Sequence, residues 1–232
     1  MAHDGPGRGR GVSAGLTREI VVSAAERIVI QRGVQNASLR AVADELGVTP
    51  GAIYSYVADR RELFDAVADS FLAREVLTRL PTQAPPLEML RLVCRLLHAA
   101  GRSHPALLSA VVGHIPERTK TAQMEIAERM LTALRAAGAD QELAQHLYRR
   151  LVALCLGYAL HDANLSSLKE SEARRRLEVH ATSTTHPEVA AYARTLSASR
   201  EPDWLDHEVD QVLLELHPTA VSEEENVRVR FV

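Results

Sequence analysis

Across 232 residues the chain is 46% hydrophobic and 25% charged, with a formal net charge of −3, a make-up that suits one large folded domain or a small one joined to a larger. The slight acid excess argues against a protein that coats nucleic acid indiscriminately, but not against one that makes a few local phosphate contacts. No apolar run approaches the roughly 20 residues of a membrane span, and the opening "MAHDGPGRGRG" lacks an apolar secretory core. The expected setting is therefore the cytoplasm, with no membrane partner. Cys94 and Cys155 are the two cysteines, and they read as buried reduced thiols rather than a disulfide. Aromatic residues make up only 4%, so the abundance of Ala and Leu favours an all-α fold.

Residues 1–15, rich in Gly and Arg and without periodicity, predict a disordered arm. "LTREIVVSAAERIVIQRG" predicts a helix capped by Thr17 and ended by Gly33. Its inner stripe is Ile20, Ala24, Ala25 and Ile28, flanked by Val21 and Val29. Ser38 caps a second helix, with Leu39, Val42, Ala43 and Leu46 on one face and Gly47 at its end. Thr49 and Pro50 suit the cap and first position of a third, because proline has no amide to satisfy there. Asp59 and Glu62 form a capping-box-like start for a fourth, which turns Leu63, Phe64, Val67 and Phe71 inward.

Further helices are predicted from Pro86 to Pro116 with a break near Pro105, from Thr121 to Gly138, and from Asp140 to Leu165. Residues 166–187 are polar and predict a partly helical, mobile connection. "EVAAYARTLS" and "DWLDHEVDQVLLEL" predict the last two helices, and Pro218 with the acidic "SEEEN" opens a loose tail.

The stretch "SLRAVADELGVTPGAIYSYVADRRELF" carries the clearest functional signal. A helix-turn-helix needs two short helices crossing steeply about a tight turn, with a third in support. Here Leu39, Val42, Ala43 and Leu46 can pack against Val48, Ile53 and the first helix while Gly47 makes the turn. The segment Pro50–Tyr56 is then free to present Gly51, Ala52, Ser55 and Tyr56, with Thr49 at its start. Small side chains let a helix sit deep in the major groove, where Ala meets a thymine methyl and Ser or Thr donates or accepts. Arg40 suits a guanine edge or a phosphate, and Arg60 a phosphate anchor. The same geometry also serves plain core packing. Arg8 and Arg10 suit either a minor-groove arm or a solubilising tail.

Residues 16–68, from "LTREIVVSAAERIVIQRG" to "RRELFDAV", resemble the DNA-binding domain of the TetR (tetracycline-repressor-like) family of regulators. By position, the resemblance carries the DNA-contacting sites onto Ser38, Arg40, Thr49, Pro50 and Gly51, and onto Ala52, Tyr54, Ser55, Tyr56 and Arg60. The chain departs from the family's usual lysine at Arg60 and aromatic–basic pair at Ser55 and Tyr56, so base preference does not transfer. The resemblance implies an N-terminal three-helix helix-turn-helix domain at 16–68 and a larger helical effector-binding and dimerisation domain at 69–217. The arm 1–15 and a flexible tail 218–232 flank them. It further implies a homodimeric repressor of near-palindromic double-stranded operator DNA. A small-molecule effector would release it by swinging the fourth helix and changing the spacing of the two reading heads.

For the dimer, the candidates are the helices 141–165 and 203–216, through Leu147, Leu151 and Tyr158 on the first and Trp204, Leu205, Val209, Val212, Leu213 and Leu216 on the second. The alternative is that these residues complete the core of one chain. For the effector, Leu90, Cys94, Leu97, Met124, Leu131 and Leu154 suggest an apolar lining, and His98, His114 and His161 are candidate polar contacts beside it. Residues 166–187 suit a lid. The ligands of tetracycline and its magnesium find no convincing match.

"GVSAG", Gly11–Gly15, has the form of a hydrolase elbow, but a nucleophile elbow needs a strand before Ser13 and the sequence there is glycine-rich. The ten histidines show no metal-binding spacing, so neither a metal nor another cofactor is expected. The rivals to a DNA reader are an all-α enzyme and a helical interaction module without DNA binding.

Overall fold

A computed structural model describes residues 15–111, 121–167, 170–198 and 204–216. Arg8, Arg10, Ser13, His114, Pro116 and the tail 218–232 lie outside the described residues. Among those described, eleven α-helices and no strand are found, and no helix is long and apolar enough to cross a membrane. The chain divides into two compact units: residues to Leu72 with 106–121, and 73–105 with 122–232.

In the first unit, helix α1 (Arg18–Arg32) begins where the Thr17 hydroxyl accepts a bond from the amide of Ile20, 3.3 Å. At the same end the Glu19 carboxyl is held below its usual range by its own backbone amide, helped by Thr17. The inward face differs from the predicted stripe: Ile20 is 41% exposed, and Val21, Val22, Ala24, Ala25, Ile28 and Val29 are buried. At 100° per residue those six span one sector and Ile20 falls outside it. After a 3-10 turn (Val34–Asn36), α2 (Leu39–Leu46) buries Leu39, Val42 and Ala43, with Leu46 half-buried. Gly47 ends it at φ 66° and ψ 27°, the left-handed region where a β-carbon costs about 1 kcal/mol or more. The next helix, α3 (Pro50–Ile53), is one turn long.

Helix α4 (Arg60–Glu75) starts at Asp59, whose carboxylate accepts from the amide of Glu62, 2.8 Å. Leu63, Phe64, Val67 and Phe71 are buried as predicted. After α5 (Pro86–Ser103), the short α6 (Pro105–Val111) brings Leu107 and Leu108 into buried positions.

The second unit is a helical bundle of α5, α7 (Ala122–Ala136), α8 (Gln141–Ser167) and α11 (Trp204–Leu213), in which α8 packs on the other three. Helix α8 buries Ala144, Leu147, Leu151, Cys155 and Ala159, spaced three or four apart as one helix face requires. On α11, Leu205, Val209, Val212 and Leu213 point inward, and Leu216 in the following 3-10 turn is buried too. Three ion pairs orient that helix at the surface: Arg91–Asp210 (2.7 Å), Arg95–Asp206 and Arg150–Glu215. Exposed pairs of this kind contribute at most about 1 kcal/mol each, so the apolar face supplies the stability. Helices α9 (Glu170–Ala181) and α10 (Pro187–Ala198) pair with each other over Ala190 and Ala193. Arg194 adds a bond to the carbonyl of Ala181, 2.9 Å. Helix α9 occupies Glu170–Ala181 of the stretch 166–187 that the sequence predicts to be partly helical, and residues 182–186 are non-helical.

The two cysteines are both buried and free, on the touching helices α5 and α8. Hydrogen bonding from Cys94, with burial, pushes the Cys155 thiol far above its usual range. The folded chain therefore keeps a proton that the unfolded chain releases above about pH 8.5. This contribution to stability is complete below that pH and is lost as pH rises above it. An aromatic disulfide reagent at pH 8 should titrate neither thiol in the native chain and both after denaturation.

Candidate nucleic-acid interface

Helix α3 is anchored from behind and open in front. Ile53 and, just after the helix, Val57 are fully buried, while Thr49, Pro50, Gly51, Tyr54 and Ser55 are exposed and Ala52 is half-buried. A β-carbon built on Gly51 would meet only the Thr49 hydroxyl, at 3.9 Å. The helix surface there is therefore bare of its own chain's side chains, as close approach to another molecule requires. The Thr49 hydroxyl makes no capping bond. The helix is shorter than the predicted Pro50–Tyr56: it ends at Ile53, and Tyr54–Tyr56 continue as tighter turns, with the amide of Tyr56 bonded to the carbonyl of Ile53 at 2.9 Å. The reason is local, since Tyr54 and Ser55 are exposed and would gain little burial from a further α-helical turn.

Apart from Pro50, which is exposed, and Ala52, which is half-buried, the expected contacts divide into two groups. Arg40, on α2, and Tyr54 are exposed, Tyr54 to 58%; with Thr49, Gly51 and Ser55 they make up the accessible face. Others have bonds within the chain. The Ser38 hydroxyl accepts from the amide of Ala41 at 3.1 Å, the cap of α2. Tyr56 is half-buried and donates its hydroxyl to the carbonyl of Leu16, 2.7 Å. Arg60 donates from Nε to the carbonyl of Ala37 (3.1 Å) and from Nη2 to that of Val34 (3.0 Å), and its guanidinium lies 4.7 Å from the Phe64 ring centre. Two of its five N–H groups are committed to the chain, so any phosphate must meet another edge. Replacing Ser38 by alanine should cost about 1 kcal/mol of stability through the lost cap, read as a lower urea midpoint; aspartate there should keep most of it.

Two acids of this unit are engaged by arginines. Glu45 pairs with Arg27 at 3.1 Å and Glu62 with Arg18 at 3.0 Å, which removes part of the repulsion that a near-neutral domain would offer to phosphates.

Of the residues expected to line an effector site, Leu90, Cys94 and Leu97 are buried on α5, and Leu131 and Leu154 are half-buried. Met124 is 44% exposed; the inward face of α7 is Ala122, Ile126, Met130, Ala133 and Leu134, and position 124 lies about 200° around the helix from 126. His98 and His161 meet on one carboxylate that sequence reasoning passed over: Asp162 lies 2.7 Å from His98 Nε2 and 3.2 Å from His161 Nδ1. The spacing of Asp162 carried no signal, because His98 reaches it from another helix.

Of the expected dimer residues, Leu147, Leu151, Leu205, Val209, Val212, Leu213 and Leu216 are buried within one chain, Tyr158 is half-buried and Trp204 is 41% exposed. Beside the core stripe α8 carries a second apolar row: Tyr148, Val152 and Leu156 are half-buried and Leu160 is 44% exposed. Desolvation raises the pKa of Tyr148, in keeping with its apolar surroundings.

Residues 21–67 match the profile of the family described as bacterial regulatory proteins, tetR family. The HTH-type transcriptional repressor DrrR1 of Streptomyces coeruleorubidus is 28% identical over 201 residues, covering 83% of this chain and 69% of that protein. Among solved structures, ActR of Streptomyces coelicolor in complex with actinorhodin has a TM-score of 0.72 at 23% identity, covering 88% of this chain and 96% of that chain. BioQ with its double-stranded DNA operator has a TM-score of 0.56 at 27% identity, covering 79% and 99%.

Proposed function

We propose that this chain, whose residues 21–67 match the tetR family of bacterial regulatory proteins, is a DNA-binding regulator of transcription that reads a near-palindromic operator as a homodimeric repressor through the face from Thr49 to Ser55. The observation that carries this is the bare surface at Gly51, set on the buried plug of Ile53 and Val57. A protruding helix with small side chains fits the major groove. Its relatives are transcriptional regulators rather than enzymes. That DrrR1 is a repressor supports repression here, and BioQ with its operator supports duplex DNA as the partner.

Pairing two chains doubles the contacts and places two reading helices about 34 Å apart, one turn of DNA. The second row of α8, from Tyr148 to Leu160, with the exposed Trp204, supplies apolar surface that a partner chain would cover. The core stripe of α8 and α11 then belongs to the single chain.

ActR with actinorhodin supports a small-molecule effector for this chain as well. The apolar faces of α5, α7 and α8 favour one that is largely apolar, with the His98–Asp162–His161 group as its polar neighbour. Such an effector acts by preferring the state with mis-spaced reading helices, and about 3 kcal/mol of preference lowers operator affinity more than a hundredfold.

Selection of bound duplexes from random-sequence DNA, at one stated salt concentration, tests the reading. The expected product is an inverted repeat with half-sites about one turn apart, and failure to enrich any sequence would count against DNA reading itself.

A further inference from the structure

The helix that carries the candidate reading face has little of its own to hold it. Pro50–Ile53 is a single turn without a side-chain cap, far short of the length at which a helix persists alone in water. Its orientation has to come from its surroundings. Ile53 and Val57 plug it into the core, but apolar burial is non-directional and resists withdrawal better than rotation.

Directional bonds converge on the residues just after it. Arg18, in the first turn of α1, donates from Nε to the carbonyl of Tyr56 (3.3 Å) and from Nη2 to Oε1 of Glu62 (3.0 Å). The other carboxylate oxygen of Glu62 accepts from the amide of Ala58, 2.7 Å. The Tyr56 hydroxyl runs the opposite way, to the carbonyl of Leu16 at 2.7 Å. The turn 56–58 is thus gripped at a carbonyl, an amide and a hydroxyl by the starts of α1 and α4. The Arg18 and Glu62 side chains are 35% and 25% exposed, so these charge-assisted bonds are partly shielded from competing water.

We propose that Arg18, Glu62 and Tyr56 form a positioning clamp that holds the reading helix at the angle its operator requires, none of the three reading a base. This rests on the Thr49–Ser55 face being the operator surface. It moves Tyr56 from contact to support and adds two residues absent from the expected set. With the clamp loosened, the helix samples orientations of which only a fraction can dock, and specific affinity falls by that fraction. Non-specific affinity, set by attraction to phosphates, does not.

Glu62→Gln in the full chain gives opposite signs for the two explanations. Loss of an anionic group near DNA would tighten binding by electrostatics alone, whereas loss of the clamp weakens it. The probe is a duplex recovered by selection with the wild-type chain, with a scrambled duplex of equal length at the same salt as control. Glu62→Gln should bind the selected duplex about five- to tenfold more weakly, the loss of one charge-assisted bond, and the scrambled duplex as well as wild type or better. Tyr56→Phe should show a smaller loss of the same kind, and Glu62→Asp a partial recovery. Circular dichroism at the assay temperature checks folding, and Tyr56→Phe, which removes a single oxygen, carries the test if Glu62→Gln fails to fold. Unchanged or tighter binding of the selected duplex by both variants overturns the clamp while leaving the reading face intact. Failure of Arg40→Ala with Tyr54→Ala to weaken that duplex overturns the reading face, and the clamp with it.

Discussion

Replacing Arg40 and Tyr54 together by alanine is expected to weaken binding to a selected operator by about 3 kcal/mol or more, over a hundredfold. Both side chains are exposed on the candidate face, Tyr54 to 58%, so neither removal opens a cavity and the thermal midpoint should move by little. A dimer loses each contact twice. Arg40 has a second signature: if it neutralises a phosphate, the slope of log affinity against log salt should flatten by about 1 for each lost charge contact. If it reads a guanine edge, discrimination at one base pair should fall instead. Fluorescence anisotropy across a salt series separates the two. Affinity within twofold of wild type would move the reading surface elsewhere.

Leu151→Ala should lower the stability of the chain by about 2–5 kcal/mol, because a fully buried leucine leaves both its transfer energy and a cavity behind. Leu151 is fully buried on α8, whereas Leu160, on the same helix, is 44% exposed. Leu160→Ala should therefore leave chain stability nearly unchanged while raising the dimer dissociation constant. Urea unfolding with sedimentation on both variants gives the comparison. A Leu151→Ala chain that unfolds like wild type but sediments as a single subunit would return that residue to the dimer seam.

The helix starts and stops were readable because their chemistry is local. A hydroxyl within three residues of an orphan amide, as at Thr17 and Ser38, or a glycine at positive φ, as at Gly47, needs no distant partner to act. The candidate face is legible for the same reason: small residues behind Pro50 and a buried Ile53 lie within one turn of each other. The roles of the polar side chains were not. Nothing near Tyr56 in sequence indicates that its hydroxyl meets Leu16, 40 residues away, nor near Arg60 that Val34 and Ala37 use two of its hydrogens.

Periodicity has a similar reach. It showed that α8 is apolar on much of its circumference, but Leu151 and Leu156 lie about 140° apart around one helix, and only the neighbours decide which is covered. Here α5, α7 and α11 take the Leu147–Leu151–Cys155 side. The amino-acid order thus determined an all-helical chain, its caps and the short exposed helix with its small residues, since propensities and orphan amides act over a few residues. The tertiary structure alone decided which apolar rows are core, which carboxylate His98 meets, and which guanidinium and hydroxyl groups are used within the chain. Those outcomes depend on partners 20 to 120 residues distant, brought together when the chain buries its apolar faces.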